Sequence, residues 1–190
     1  MGKVVKGDTE MTESSERVRS GSWAILLASF LSIFFVMCLF MAMRGVLELG
    51  GFVAKGGPYV IEHEAPGYIW IFPVAIFCLL ASIFYLIATM GRRGGVDLLA
   101  PLILPLLFLS LGWNFFEYAL FRFHHVEWGW LICGVVFFAM GIVPLVLVIK
   151  KYPPTTILRE CMESPGPVLL QVSGAALGIV GGYFFFRLIS

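Results

Sequence analysis

Apolar runs of about twenty residues, set apart by short polar stretches, organise this chain. The first covers about 23–43, WAILLASFLSIFFVMCLFMAM, and the second about 67–90, GYIWIFPVAIFCLLASIFYLIATM. A tight Gly/Arg turn, GRRGG, leads to a third over about 97–121. The fourth spans about 128–149, and a Pro-rich linker, KYPPTTILRECMESPGP, precedes the fifth at about 167–187. At about 1.5 Å of rise per residue, each run crosses about 30 Å of hydrocarbon as a helix. None alternates apolar with polar residues, so a transmembrane β-barrel is excluded. The expected fold is all-α: a polytopic helical membrane protein with five transmembrane helices.

The polar residues set the expected orientation. Lys3, Lys6, Arg17, Arg19, Arg92, Arg93, Lys150, Lys151 and Arg159 fall on the side of the N-terminus, against Arg44, Lys55, Arg122 and Arg187 opposite. The positive-inside rule then predicts N-in, C-out. Residues 1–22 read as a polar cytoplasmic tail, mobile and helical near its end. Residues 23–190 read as the five-helix domain, with a long extracytoplasmic loop over 44–66. The first run is too long for the core of a signal peptide. Tyr68, Trp70, Trp128 and Trp130, at the starts of the second and fourth spans, suit an outer interface belt.

Composition narrows the class further. The 190 residues are 59% hydrophobic and 13% charged, more apolar surface than a soluble domain of this length can bury. A net charge of +1 gives no basic field for nucleic acid. The four cysteines, Cys38, Cys78, Cys133 and Cys161, form no CxxC pair, which argues against a thiol relay. Gly51, Gly56 and Gly57 lack the context of a phosphate-binding loop. No span carries a lysine for a Schiff base. The expected location is an integral membrane one, the plasma membrane or a bacterial inner membrane.

Candidate chemistry gathers on one side. The proposed topology places His63, His124 and His125 together with Glu48, Glu62, Glu64 and Glu127, near Asn114 and Glu117 of the third span. Asn114, Glu117, Phe121 and His124 follow helical spacing and share a stripe. Glu117 is the most informative of them. A carboxylate within the hydrocarbon is costly unless a cation or donor lies beside it, and the candidates are His124, Arg122, Arg44 and Asn114. Imidazole and carboxylate are suitable ligands for zinc, copper or iron, so a metal or haem site of His63, His124 and Glu117, with Asn114, Glu62 and Glu64 nearby, is one reading. Adjacent histidines point about 100° apart on a helix, so His124 and His125 do not readily share an ion. Arg44 and Glu48, four apart, pair if the first helix continues past its apolar run.

The fifth span carries a stripe of small residues, Gly174, Gly178 and Gly182, at intervals of four. Such a stripe lets another helix approach closely. It serves either as a seam to a partner or second copy, or as packing within the chain, with Gln171 able to bond across the contact. Arg92, Arg93, Lys150 and Lys151 flank spans and suit lipid headgroups. The favoured functional reading is a structural or accessory subunit of a membrane assembly, or a homo-oligomer, packed through the Gly-rich fifth helix. The alternatives are a metal- or haem-bearing membrane enzyme and a transporter or proton-conducting channel using Glu117. The expected partners are the lipid bilayer and a membrane protein.

Overall fold

A computed structural model describes residues 5–49, 54–55, 60–61, 65–91, 99–122, 126–163 and 165–190. The described chain is helical apart from one short strand pair. Helix α1 covers Val5–Glu48, α2 Ile71–Gly91, α3 Ala100–Phe121, α4 Trp128–Lys151, α5 Pro154–Glu163 and α6 Pro165–Ile189. The strands β1 (Ala54–Lys55) and β2 (Val60–Ile61) pair antiparallel between α1 and α2. Five of the helices, all but α5, have stretches long and apolar enough to cross a membrane.

The membrane-length stretch of α1 starts at Ser22, as the apolar run from about 23 predicts, and the helix extends N-terminally to Val5. The Pro-rich linker contains the ten-residue helix α5. Pro154 is its first residue, the position where proline's missing N–H and fixed φ cost nothing. Two of the span prolines are also harmless for this reason. Pro73 and Pro101 fall in the first turns of α2 and α3, so only Pro105 and Pro144 interrupt a helix interior.

Helix α1 is the hub, packing against α6, α2 and α3, while α4 leans on α3. Contacts along the helices fix their directions. Gly174 meets Leu26 and Ser29, Gly178 meets Phe30 and Ile33, and Gly182 meets Phe34 and Met37, so α6 runs parallel to α1. Ser32 donates to Ser82 at 2.9 Å, and Tyr68 lies against Gly45 near the other end, so α2 runs antiparallel. Asn114 and Glu117 of α3 reach Phe40 and Arg44, and Gly134 and Gly141 of α4 meet Phe116 and Leu109. Successive long helices therefore alternate in direction, and α6 returns beside α1. One end of the bundle carries Arg44, Tyr68, Glu117 and Arg187. The other carries Trp23, Leu99, Lys150 and α5.

Two glycine seams hold the bundle. The buried face of α6 is Gln171, Gly174, Gly178, Gly182 and Phe186, one stripe at helical spacing. Its three glycines face the backbone carbonyls of Leu26, Phe30 and Phe34, which are likewise four apart. With no solvent-driven force between helices in lipid, such close backbone approach is what lets two of them adhere. The stripe is thus occupied inside the chain. Of the two uses such a stripe allows, packing within the chain is the one seen here, with α1 in the groove.

The second seam joins α3 to α4. Gly134 and Gly141, seven apart, are the buried residues of α4, and Gly112 of α3 lies against Phe138. A methyl at Gly141 would stand 2.7 Å from Leu109 Cγ and 3.1 Å from its backbone nitrogen. Gly141→Ala is expected to destabilise the fold by about 1–2 kcal/mol, read as a shifted midpoint in detergent unfolding. Combined with Leu109→Ala, it should cost less than the sum of the two changes, because they share one contact.

Aromatic residues complete the core at the Arg44 end. Trp130 stacks on Phe115 with centroids 5.7 Å apart and meets Tyr118 edge-on at 5.7 Å. Tyr68 meets Phe186 at 5.1 Å. Of the four residues expected in an interface belt, Trp70 and Trp128 face outward, while Tyr68 and Trp130 are packing residues between helices.

Candidate functional site

The site lies where the last turns of α1 and α3 meet. The last turn of α1 brings Arg44 and Glu48 onto one face, and Arg44 Nε donates to Glu48 Oε1 at 3.3 Å. This i, i+4 pair forms because the helix runs on past its apolar stretch to Glu48, as the spacing requires. Helix α3 presents Asn114 and Glu117, three apart, to the same face of α1. Arg44 Nη2 donates to Glu117 Oε1 at 2.7 Å and Nη1 to Oε2 at 3.0 Å. Both carboxylate oxygens are therefore held by one guanidinium fork, the strongest geometry an arginine–carboxylate pair adopts.

Asn114 lies one turn deeper and is 1% exposed. Its Nδ2 donates to the Phe40 carbonyl at 2.9 Å, a tie between α3 and α1. Its Oδ1 is buried with no hydrogen-bond partner among the described residues, although buried acceptors are almost always satisfied. Around these groups is a cleft of about 150 Å³, lined by Arg44, Leu47, Glu48, Asn114, Glu117, Tyr118, Phe121 and Arg122. Its charged lining is two guanidiniums and two carboxylates.

The sequence-predicted residues sort as follows. Glu117, Asn114 and Phe121 share the cleft, as their helical spacing predicts. Of the candidates to compensate Glu117 among the described residues, Arg44, Arg122 and Asn114, it is Arg44 that pairs with it. His63, His124, Glu62, Glu64, Arg92 and Arg93 lie outside the described residues. Lys150 and Lys151 close the last turn of α4, where cations meet the negative end of the helix dipole, and Lys151 stands over the Tyr152 ring at 5.3 Å. Gln171 is buried on the glycine face of α6. Its Oε1 accepts from the Leu99 N–H at 3.2 Å, satisfying one of the free amides at the start of α3.

Residues that sequence reasoning missed are the second seam, Gly112, Gly134 and Gly141, and the Ser32–Ser82 bond. The seven-residue interval between Gly134 and Gly141 was the available signal. Alongside the cleft runs an apolar groove of about 770 Å³ between α3 and α4, which shares Glu117 and Phe121 with it.

These features define a helical membrane-spanning chain with a charge-balanced polar cleft at one end of the bundle. Compared with known protein families, curated proteins and solved structures, the chain matches none.

Proposed function

We propose that this chain is a non-catalytic integral membrane protein. It acts as a structural or accessory subunit of a membrane assembly, or as a homo-oligomer. The observation that carries this reading is the Arg44–Glu117 fork. Glu117, near the end of the apolar helix α3, spends both oxygens tying α3 to α1, which suits a scaffold better than a ligand or a proton carrier. Gln171 and the Ser32–Ser82 pair are likewise helix-to-helix ties. The contact surface of such a subunit is α4. Gly134 and Gly141 are its buried residues, and Ile132, Val136 and Leu147, which lie off the α3–α4 groove, are all exposed.

The orientation in this proposal is N-in, C-out, in a plasma or bacterial inner membrane. Nine of the thirteen Lys and Arg residues lie on the N-terminal side, which supports it through the positive-inside rule. The Arg44 end is then the outer face.

The test is the state of the full chain in lipid nanodiscs after mild extraction. A stoichiometric partner or a homo-oligomer is expected, with a photo-crosslinker at Val136 or Leu147 joining it and one at the buried Ile103 not doing so. A folded monomer with no stoichiometric partner would overturn the reading.

A further inference from the structure

The cleft and the groove beside it have the layout of a lipid site. The cleft sits at the Arg44 end, and the groove runs from Glu117 and Phe121 toward the middle of the bundle. Its walls are Trp113, Phe116 and Leu120 of α3 with Val135, Phe138 and Val143 of α4. From residue 113 to 121 the helix advances about 12 Å. A polar head at the end of the bundle with an apolar slot leading inward is the way a phospholipid lies in its leaflet.

The charges select the head. Arg44 and Arg122 balance Glu48 and Glu117 around the cleft, so a zwitterion fits without leaving an unmatched charge. Arg122, on the exposed end of α3, is placed for a phosphate. Glu48 offers a half-exposed carboxylate to a cation. At the floor of the cleft Asn114 Oδ1 has no donor among the described residues. Its orientation is set, because Nδ2 must be the atom that donates to the Phe40 carbonyl. A group that carries both an N–H and a positive charge matches Asn114 Oδ1 and Glu48 together.

We infer that the cleft binds the headgroup of a phospholipid carrying a primary ammonium, as ethanolamine lipids do, with one acyl chain in the α3–α4 groove. A trimethylated choline headgroup has the same charge and no N–H, so it leaves Asn114 Oδ1 unsatisfied. This site is independent of whether the chain associates with a partner.

Native mass spectrometry of the full chain, titrated with lipids of identical acyl chains, tests it. Ethanolamine lipid should be retained at least about fivefold over choline lipid, the low end of what one buried hydrogen bond decides. Along the series of N-methylated ethanolamine lipids, the preference should fall away at the last methyl, which removes the last N–H. Arg122→Gln should weaken retention of both lipids alike, and Asn114→Leu should erase the preference. If Asn114→Leu fails to fold, the methylation series on the unaltered chain still decides. Equal retention of ethanolamine and choline lipids, equal retention of a glycerol-headgroup lipid, or no retention at all would overturn the assignment.

Discussion

Gly178→Ala is expected to be the most damaging single-methyl change in the protein. A Cβ built at Gly178 stands 2.6 Å from the Phe30 carbonyl oxygen and 2.9 Å from the Phe34 nitrogen. Both are backbone atoms of α1 and have no rotamer to escape into. The helices must separate, and with them the contacts of Gly174 and Gly182 on the same stripe. Overpacking of a rigid contact costs about 1–3 kcal/mol or more, against a gain of roughly 1 kcal/mol from alanine's higher helix propensity. The clash wins because relief at one glycine loosens three. The expected net loss is about 2 kcal/mol or more, seen as a lower midpoint in detergent unfolding.

Gly129→Ala supplies the control. Nothing lies within 4 Å of the methyl that it adds, so propensity acts alone and stability should stay level or rise by up to about 1 kcal/mol. If Gly178→Ala behaved like Gly129→Ala, the seam between α1 and α6 would not be the contact that orders the bundle.

The five long helices were legible because the length of an apolar run is dictated by the bilayer, not by tertiary context. Their starts were less so. The Pro-rich linker reads as an interruption along the sequence, yet Pro154 within it sits where a helix begins and tolerates it. The Gly174, Gly178 and Gly182 stripe announced a close helix contact, but spacing alone does not say which helix comes close. That depends on α6 returning beside α1, a relation between residues nearly 150 positions apart in the sequence. Tyr68 and Trp130 looked like belt residues since they begin apolar spans. Their rings instead fill space against Phe186 and Phe115, and composition does not distinguish an aromatic facing lipid from one facing a helix. At the site, Glu117 was conspicuous as a lone acid in an apolar run, and Arg44 was one of four possible partners. Geometry chose it: α3 runs parallel to α1, which aligns Asn114 with Phe40 and Glu117 with Arg44.

The Arg44–Glu117 fork carries the second large effect, and Glu48 makes that effect asymmetric. Glu117→Gln removes one charge and leaves Arg44 paired with Glu48 alone. Arg44→Gln leaves two carboxylates without their cation at the edge of an apolar bundle. Hydrogen bonds to charged groups contribute about 1.5–3 kcal/mol, but the side chains are 41% and 34% exposed, so screening trims the Coulomb part. The expected losses are about 1–2 kcal/mol for Glu117→Gln and about 2–3 kcal/mol for Arg44→Gln. The double change should cost no more than Arg44→Gln alone, a coupling of about 1–2 kcal/mol in a double-mutant cycle. Strict additivity would show that the fork contributes nothing as a pair. Exchanging the two residues, Arg44→Glu with Glu117→Arg, should recover only part of the loss. A carboxylate at position 44 would face Glu48 one turn away on the same helix, and like charges at that spacing repel. Adding Glu48→Gln to the exchange removes that repulsion and should restore stability further, a result expected only if all three groups share one local field.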